Sequence, residues 1–205
     1  MCKYDATGLL AWTQQIGVTG DDLSRDIATD AAGNIYIAGG THGDLGGINA
    51  GLLDAVLIKY APTGALSWVR QLGTSAPEEN MAVTIDLLGN IYVAGATGGD
   101  LGGTNVGYYD ALLSKFDATG SLTWTQLFGD ADYEYANGVA VDAFGNIYVT
   151  GDVEDKLVPS FYRVDDVFLV SFRQSPAVPE QNTSMLGLLA AASTLALGIR
   201  RATHR

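Results

Sequence analysis

The sequence predicts an all-β fold made of β-propeller-type blades, and three observations support this prediction. Residues 1–172 repeat with a constant period of 56 residues. Each period alternates short apolar segments with glycine-containing turns, which is typical of antiparallel strands. Helical periodicity is absent from the same residues. A period kept without insertion or deletion indicates one supersecondary unit stacked on copies of itself.

The repeat consists of aromatic residues, glycines, asparagines and aspartates that recur at the same step. Tyr4, Tyr60, Phe116 and Phe172 are each separated by 56 residues. The other recurring positions are Gly8, Gly64 and Gly120; Trp12, Trp68 and Trp124; Gly17, Gly73 and Gly129; Asn34, Asn90 and Asn146; Tyr36, Tyr92 and Tyr148; and Asp54, Asp110 and Asp166. These repeated residues are interpreted as structural, and they do not identify a ligand.

Four strands follow one another in each unit, as the second copy illustrates. Residues 81–86 and 91–95 are predicted strands, joined by a hairpin turn in which Gly89 supplies a positive φ. A glycine-rich connection over residues 97–107 leads to predicted strands 110–116 and 122–127. The first and third copies are predicted to fold in the same way.

A four-stranded antiparallel unit repeated at roughly 40–56 residues is typical of a propeller blade. Blades pack face to face, which accounts for strands that are apolar on one side and small on the other. Trp12, Trp68 and Trp124 are therefore predicted to fill the space between adjacent blades. The alternative role for these tryptophans is a stacked aromatic platform for a ligand.

The repeat resembles the bacterial β-propeller repeat known as SBBP. The resemblance rests on a tryptophan, a glycine and the pattern Ala-x-Asp-x-x-Gly-Asn-x-Tyr-x-x-Gly, found as Trp12, Gly17 and residues 28–39, and again at residues 140–151. It extends over nearly all of residues 1–172 and implies a propeller of repeated blades. It implies no catalytic residue, because the positions that define the family build the blade.

Three copies are fewer than the roughly four to eight blades of an ordinary propeller. The chain begins within a third strand, since residues 2–4 align with residues 58–60. Residues 9–16 are predicted to supply the outer strand of the last blade and so to close the ring by strand exchange. The chain is expected to be a fragment of a longer propeller, and the absence of an N-terminal export signal also favours this interpretation. The alternative is a homodimer in which two copies complete one ring.

Charge and cysteine content limit the partners that we expect. Residues 1–172 contain 7 Lys and Arg against 22 Asp and Glu, whereas residues 173–205 contain 4 Arg and 1 Glu. Nucleic acid is not expected as a partner, because this acidic body would repel phosphates. Cys2 is the only cysteine, so no intrachain disulfide forms, and it is interpreted as incidental.

No catalytic site is predicted. The two histidines, His42 and His204, are not spaced to ligate zinc. Neither a serine-nucleophile elbow nor a phosphate-binding loop occurs.

Calcium is the one cofactor for which candidate ligands exist, namely Asp44 and Asp100 in two glycine-rich loops. The third copy has Lys156 at the equivalent position. We therefore favour the interpretation that both aspartates accept backbone hydrogen bonds in turns. The repeated set Asp54, Asp110 and Asp166 is likewise predicted to cap strand starts and not to form a catalytic ring.

The composition changes after Phe172, which predicts a separate tail. Residues 173–184 are polar and contain prolines, as a linker does. Residues 185–205 combine an uncharged apolar segment with the arginines Arg200, Arg201 and Arg205. The segment is predicted to be a helix that anchors transiently in the membrane, with these arginines at the interface. A terminal helix packed on the blades is the alternative, but such a helix would have a polar face.

Val178, Pro179 and Glu180, followed by the apolar segment and the arginines, resemble the PEP-CTERM sorting signal of Gram-negative bacteria. Gln181 stands in place of the motif's second proline. The resemblance implies processing by an exosortase-like enzyme and export to the cell envelope, cell surface or extracellular space.

These observations predict a non-enzymatic propeller module of an exported, envelope-sorted protein. Its role is expected to be binding or structural, toward a surface or matrix ligand that the sequence does not identify. One alternative is a propeller lyase or hydrolase with its site at the central mouth of the ring. The other is a fragment with no function of its own.

Overall fold

The computed structural model describes residues 1–154 and 165–172, and this part of the chain contains strands and no helix. The strands are β1 (Cys2–Tyr4), β2 (Leu10–Thr13), β3 (Asp22–Thr29), β4 (Ile35–Thr41), β5 (Asp54–Tyr60), β6 (Leu66–Leu72), β7 (Glu78–Ile85), β8 (Ile91–Thr97), β9 (Asp110–Phe116), β10 (Leu122–Phe128), β11 (Tyr133–Val141), β12 (Ile147–Glu154) and β13 (Asp165–Phe172). The predicted C-terminal helix at residues 185–205 lies outside the described residues.

The strands form four antiparallel sheets that follow the repeat. Blade 1 has the strand order β3-β4-β5-β6, blade 2 the order β7-β8-β9-β10, and blade 3 the order β11-β12-β13. Strands β1 and β2 pair separately and form a half-blade. The first strands of successive blades are neighbours, since β3 contacts β7 and β7 contacts β11. The predicted meander of four strands per unit is confirmed for blades 1 and 2.

The hairpin between the first two strands of each blade is held by one aspartate. In blade 2, Asp86 accepts hydrogen bonds from the backbone amides of Leu88 and Asn90, each at 2.9 Å. Its second oxygen accepts from the Asn90 side chain at 2.7 Å and from the Tyr92 hydroxyl at 3.0 Å. Gly89 completes the turn with a φ of 83°, as predicted. The recurring Asp, Gly-Asn and Tyr thus form one turn-building unit.

These hydrogen bonds change the acidity of the aspartate. Burial alone would raise the pKa of Asp86, but the bonds from Asn90, Tyr92 and Leu88 lower it below its ordinary value. The same donors recur at Asp30, whose pKa is also lowered. A carboxyl group with a lower pKa in the folded chain stabilises the fold above its unfolded pKa, and this stabilisation disappears as pH falls through the folded pKa.

Replacing Asp86 with Asn is expected to remove part of the acid sensitivity of the fold. Above pH 5 the variant should be less stable, because an amide is a weaker acceptor than a carboxylate and repels one of its donors. As pH falls below about 4, where an unfolded aspartate takes up its proton, the difference should shrink. Urea unfolding at several pH values measures this, and a pH-independent difference would contradict the role given to Asp86.

Apolar residues from neighbouring blades form the cores at the blade joints. Between blades 1 and 2, Tyr36, Ala38 and Leu57 pack against Val83, Val93 and Phe116, together with the partly buried Trp68. Trp68 meets Tyr36 edge-on, with ring centroids 6.2 Å apart. Trp124 occupies the equivalent place between blades 2 and 3, and Trp12 packs on blade 1. The predicted position of the tryptophans at the joints is confirmed.

The half-blade corrects the predicted strand exchange. Strand β2, which falls within residues 9–16, pairs with β1 and not with β13. The half-blade lies on blade 1, where Met1, Trp12 and Ile16 pack on buried residues and Lys3 donates to the Pro62 carbonyl at 3.0 Å. The described strands therefore do not close a ring. These residues bury apolar surface on the face of blade 1, which is near them in sequence. Pairing with β13 would close a longer loop and would cost more chain entropy.

The two ends of the arc leave apolar positions uncovered. Ile27 is 56% exposed on blade 1, whereas Val83, one repeat later, is 5% exposed. Tyr148 on blade 3 is 39% exposed, whereas Tyr92 is fully buried. Beside Ile27 lies a cavity of about 400 Å³ that reaches Ile37 and Ile58. The half-blade has only two strands and lacks counterparts of the first two strands of a blade. In the joint between blades 1 and 2, strands of blade 1 at that place cover Val83.

No helix in residues 1–154 or 165–172 has the length and apolar character needed to cross a membrane.

Candidate functional site

Residues that break the repeat come together at one end of the joint between blades 2 and 3. Four of them are tyrosines, and we call them the tyrosine cluster: Tyr108, Tyr109, Tyr133 and Tyr135. One repeat earlier the same positions hold Leu52, Leu53, Pro77 and Glu79. The cluster is therefore a property of this joint and not of the repeat.

Two connections place the tyrosines next to each other. Tyr108 and Tyr109 end the loop before β9, and Tyr133 begins β11. A parallel bridge joins Tyr109 to Tyr133, and the Tyr108 amide donates to the Asp132 carbonyl at 3.1 Å. The alternation of a strand then puts Tyr135 on the same face as Tyr133. Backbone pairing thus sets the position of all four rings.

The rings stack on one another. The centroids of Tyr108 and Tyr133 are 4.9 Å apart with an interplanar angle of 15°. Tyr109 lies 6.1 Å from Tyr133 and 5.6 Å from Tyr135. Tyr108 is 47% exposed, and the other three are half-buried. The cluster is a rigid aromatic surface, since ring stacking and burial restrict the side chains.

The surroundings of the cluster are acidic. Burial raises the pKa of the Tyr109 hydroxyl, and the carboxylates of Glu78 and Glu79 raise it further. Glu79 also accepts from Arg25 at 2.6 Å in an ion pair that joins blades 1 and 2. Negative charge from Glu78 and Glu79 therefore acts on the cluster, and Arg25 neutralises part of it.

A buried carboxyl group, Glu134, lies between Tyr133 and Tyr135 in the chain. It is 4% exposed, and among the residues that the structure describes no donor lies in good hydrogen-bond geometry to either of its carboxyl oxygens. Burial raises its pKa to about 8. The Asp130 side chain raises it further through hydrogen bonding and charge, the Asp110 carboxylate also raises it, and the Asp130 backbone lowers it in part. Perturbed carboxyl groups in cavities are often functional.

The equivalent residue in the preceding joint, Glu78, is buried but fully hydrogen-bonded. It accepts from the amide and the hydroxyl of Thr74, both at 2.6 Å, and from the Thr97 hydroxyl at 3.0 Å. At the later joint Asp130 and Val153 replace these two threonines. The replacement removes both hydroxyl donors from Glu134.

Glu134 faces a cavity of about 450 Å³ at this joint. The polar part of the lining is Asp130, Glu134 and Asp166. The apolar part includes Phe128, Val153, Phe168 and Val170. The cavity therefore has an acidic region and an apolar region.

The candidate calcium ligands Asp44 and Asp100 lie in separate loops, and each is hydrogen-bonded within its own loop. Asp44 accepts from the Asn49 amide and Asp100 from the Asn105 amide, each at 2.8 Å. Both are exposed in their loops. Within residues 1–154 and 165–172 no group of three His, Cys, Asp or Glu side chains is placed to hold a metal ion.

Adding calcium to the protein tests these loops directly. A turn role for Asp44 and Asp100 predicts that the melting temperature stays the same as calcium is raised to millimolar concentration at constant ionic strength. Differential scanning calorimetry measures the melting temperature. A rise that disappears in Asp44→Asn and Asp100→Asn variants would instead support the calcium interpretation.

The repeated aspartates cap strand starts in blades 1 and 2. Asp54 accepts from the Ala50 amide at 2.9 Å, and Asp110 accepts from the Val106 and Gly107 amides, each at 3.0 Å. Asp166 is exposed on blade 3 and borders the cavity at Glu134. The predicted sorting motif at Val178, Pro179 and Glu180, and the predicted anchor at Arg200, Arg201 and Arg205, lie outside the described residues.

Sequence reasoning did not identify the tyrosine cluster or the unpaired Glu134. The available signal was the difference between copies: residues 132–134 read Asp-Tyr-Glu where the previous copy has Ala-Pro-Glu. That difference marks loop variation, but it does not show that the loop before β9 supplies two more tyrosines to the same place.

Three segments of the chain match the beta-propeller repeat family SBBP: residues 11–46, 67–102 and 123–152. Each matched segment begins one residue before a tryptophan and ends within or after the second strand of the next blade. Each therefore spans a blade joint.

Two curated proteins are similar to the chain. The regulatory protein FlaEY of Caulobacter vibrioides is 26% identical over 203 residues, which cover 91% of this chain and 20% of that protein. An uncharacterized WD repeat-containing protein, L264, of Acanthamoeba polyphaga mimivirus is 28% identical over 115 residues, which cover 47% of this chain and 8% of that protein. The chain spans a fifth or less of either relative.

Proposed function

We propose that this chain, which carries three repeats of the SBBP β-propeller type, is a non-enzymatic binding module of an exported bacterial envelope protein. The tyrosine cluster is its ligand-binding surface. The observation that supports this proposal is the convergence of four tyrosines that the preceding joint lacks. The tail that resembles a sorting signal supports the envelope location.

Tyrosine suits a binding surface for a physical reason. Each ring offers a large contact area with few rotatable bonds, so little side-chain entropy is lost when a ligand binds. Tyr108 is the exposed edge of the cluster, and stacking on Tyr133 holds its ring in place. The surface is thus ordered before the ligand arrives.

The repeated polar residues, by contrast, build the blades. Asp30, Asp86 and Asp142 hold hairpins, and Asp54 and Asp110 cap strands. A binding role therefore belongs to the positions where the copies differ.

The ligand that fits this surface is a positively charged polypeptide segment. Aromatic faces attract lysine and arginine side chains, and the carboxylates of Glu78 and Glu79 act near the cluster. The net charge of the chain, −12, adds a long-range attraction for cations. The same charge opposes nucleic acid as a ligand.

A lysine decapeptide is the probe that tests the binding surface. We expect the double variant Tyr108→Leu with Tyr133→Leu to bind it about tenfold more weakly than the natural chain, because aromatic anchors supply much of the affinity at such surfaces. Isothermal titration calorimetry measures the affinity. The matched control is Phe144→Leu, since Phe144 is 91% exposed in a hairpin turn away from the cluster.

Two results would contradict the proposal in different ways. Equal binding by the double variant and the control would show that the peptide binds through general charge and not through the cluster. Preferential binding of a neutral oligosaccharide, lost in the double variant, would keep the cluster as the binding surface and change the class of ligand.

Association with a second copy is part of the proposal. The uncovered faces at Ile27 on blade 1 and Tyr148 on blade 3 are the faces that meet inside the chain at the other joints. Exposed apolar faces of this kind favour association. Analytical ultracentrifugation tests this, and a monomer at all concentrations up to about 100 μM would contradict association tighter than micromolar.

Processing by an exosortase-like enzyme is the remaining part. Expression with an added export signal in a Gram-negative host that has an exosortase should place the chain in the envelope and shorten it. The variant Pro179→Ala with Glu180→Ala should stay uncleaved. Cleavage that is unaffected by this change would contradict the sorting role of the motif.

A further inference from the structure

Glu134 has an unusual environment for a buried carboxyl group. It is 96% buried, as its 4% exposure implies, and within residues 1–154 and 165–172 no donor lies in good hydrogen-bond geometry to either oxygen, Asp130 being the neighbour that acts on it. Burying such a group without partners is unfavourable, and most buried polar groups in proteins have a partner. The group therefore lacks a partner that a ligand can supply.

The substitutions at this joint created the deficit. At the preceding joint Thr74 and Thr97 satisfy Glu78 with three hydrogen bonds. Asp130 and Val153 stand at those positions beside Glu134. One replacement puts a second carboxylate where a hydroxyl donor stood, and the other leaves an apolar side chain. The site thus gains negative charge and loses donors. A cationic ligand that donates hydrogen bonds therefore fits it better than a neutral ligand that only accepts them.

The cavity that Glu134 faces has a size suited to a small organic group. Its volume of about 450 Å³ lies within the range of about 300–1,000 Å³ that is usual for small-molecule sites. Its carboxylates, on Glu134, Asp130 and Asp166, face walls formed by Phe128, Phe168 and Val170. A ligand that fills it needs a cationic end and an apolar end.

A metal ion fits this lining less well than an organic cation. Calcium takes six to eight oxygen ligands, and no three ligating side chains in the described part of the chain are placed to hold a metal. The apolar walls also provide no ligand atoms for a metal ion, whereas contact with them buries the apolar surface of an alkyl chain.

We propose that this cavity binds a primary alkylammonium group, the chemistry of a lysine side chain, with the ammonium paired to Glu134. The alkyl chain lies against Phe128, Phe168 and Val170. The ammonium supplies three donors, so it satisfies both oxygens of Glu134 and keeps one donor for Asp130 or Asp166. This site is separate from the tyrosine cluster and does not rest on the proposed function.

Proton exchange accompanies binding. In the empty cavity the Glu134 carboxyl group has a pKa of about 8 and is therefore mostly protonated at pH 7. When an alkylammonium ion enters, the carboxyl group releases its proton to solvent and becomes the carboxylate that pairs with the ion. Among the described residues, the other titratable groups that line the cavity are Asp130 before β11 and Asp166 on β13, while β12 contributes the uncharged Val153. Asp110 on β9 acts on Glu134 through its charge.

This linkage predicts a pH dependence with a defined sign. Below pH 8 the affinity for an alkylammonium ion should rise about tenfold per pH unit, because each binding event releases one proton. Above pH 8 the affinity should level off. The natural chain alone allows this measurement, so it does not depend on whether any variant folds.

The experiment is isothermal titration calorimetry of the full chain with n-butylammonium chloride at pH 6 and pH 8.5, at constant ionic strength. Two buffers of different ionisation enthalpy at pH 6 report the number of protons released. We expect one proton per amine at pH 6 and an affinity at least tenfold higher at pH 8.5. Tetramethylammonium, which has no N–H donor, and n-butanol, which has no charge, should bind at least tenfold more weakly.

Three variants locate the site. Glu134→Gln should reduce n-butylammonium affinity at least tenfold, and Asp130→Thr with Val153→Thr should also reduce it, because the restored hydroxyls satisfy Glu134 internally. Asp44→Asn, which removes an exposed carboxylate elsewhere, should leave the affinity unchanged. Circular dichroism establishes that each variant is folded.

Several outcomes would overturn this proposal. They are no heat of binding by the natural chain at tens of millimolar n-butylammonium, an affinity that does not change with pH, or equal binding of n-butanol. Retained affinity in folded Glu134→Gln would overturn it as well. The variant Tyr108→Leu with Tyr133→Leu should bind n-butylammonium normally, so failure at the cavity and failure at the tyrosine cluster are distinguishable.

Discussion

Val83→Asn is expected to destabilise the fold by about 3 kcal/mol or more, whereas Ile27→Asn, one repeat earlier, should cost less than about 1 kcal/mol. Val83 lies in the core between blades 1 and 2 with 5% exposure, and Ile27 occupies the same place in the repeat with 56% exposure. A buried amide without partners loses its hydrogen bonds to water, and an exposed one keeps them.

Urea unfolding followed by circular dichroism measures both free energies of unfolding. The pair is matched, since both side chains are β-branched, both lie on the first strand of a blade, and both are replaced by the same residue. Equal losses of stability would mean that another part of the protein, or a second copy, covers Ile27 in solution. Repeating the measurement at several protein concentrations separates these two explanations.

Gly95→Ala is expected to cost about 3 kcal/mol or more, which is at the upper end for a single added methyl group. A Cβ atom at Gly95 would lie 1.9 Å from the Glu79 carbonyl oxygen and 2.9 Å from the Asn80 Cα. Both contacts are with backbone, so no side-chain rotation relieves them. The pairing of β7 with β8 would have to open at this position.

A bulge in the first strand causes this close approach. The register shifts between Asn80 and Ala82, which brings the β7 backbone over Gly95. The matched control is Gly103→Ala, because the nearest atom to an added Cβ there is 3.6 Å away. Thermal unfolding should show a large loss for Gly95→Ala and almost none for Gly103→Ala. A loss below about 1 kcal/mol at Gly95 would show that the bulge readjusts.

The same bulge recurs in all three blades and accounts for a glycine that the repeat pattern preserves. Gly39 and Gly151 would place a Cβ 1.9 and 1.8 Å from the carbonyl oxygens of Leu23 and Tyr135. The glycine that ends the SBBP-like pattern is thus required because the backbone of the first strand passes too close for a Cβ atom. The sequence shows that this glycine recurs, but it does not show the reason.

The blade itself could be predicted from sequence because its determinants are local. The Asp86, Asn90 and Tyr92 hairpin involves residues within six positions of one another, and a local hydrogen-bond pattern recurs wherever its sequence recurs. The tryptophans at the joints were also predictable, because blades of one repeat can only pack in one repeated way. Strand β7 starts at Glu78, three residues before the predicted start, since the turn signals do not mark that boundary.

The predicted strand exchange was wrong because pairing partners in an open arc depend on distance. The repeat pattern allows strand β2 to pair with either of two strands, β1 or the outer strand of blade 3. It pairs with β1, which is joined to it by a short turn held by Asp5, and it lies on the apolar face of blade 1. The repeat pattern is the same for either arrangement.

By itself, the sequence determined the period, the four-stranded unit, the hairpin turns and the joint tryptophans of this protein, since each depends on contacts that every copy makes in the same way. Only the tertiary structure decided which unlike residues meet. Tyr108 and Tyr133 are 25 positions apart and stack because one parallel bridge joins Tyr109, in the loop before β9, to Tyr133. Within the described residues, Glu134 lacks hydroxyl donors because Asp130, just before its own strand, and Val153, on the paired strand β12, stand where Glu78 has threonines. Long-range contacts between non-repeated residues leave no periodic trace, and the candidate sites are built from such contacts.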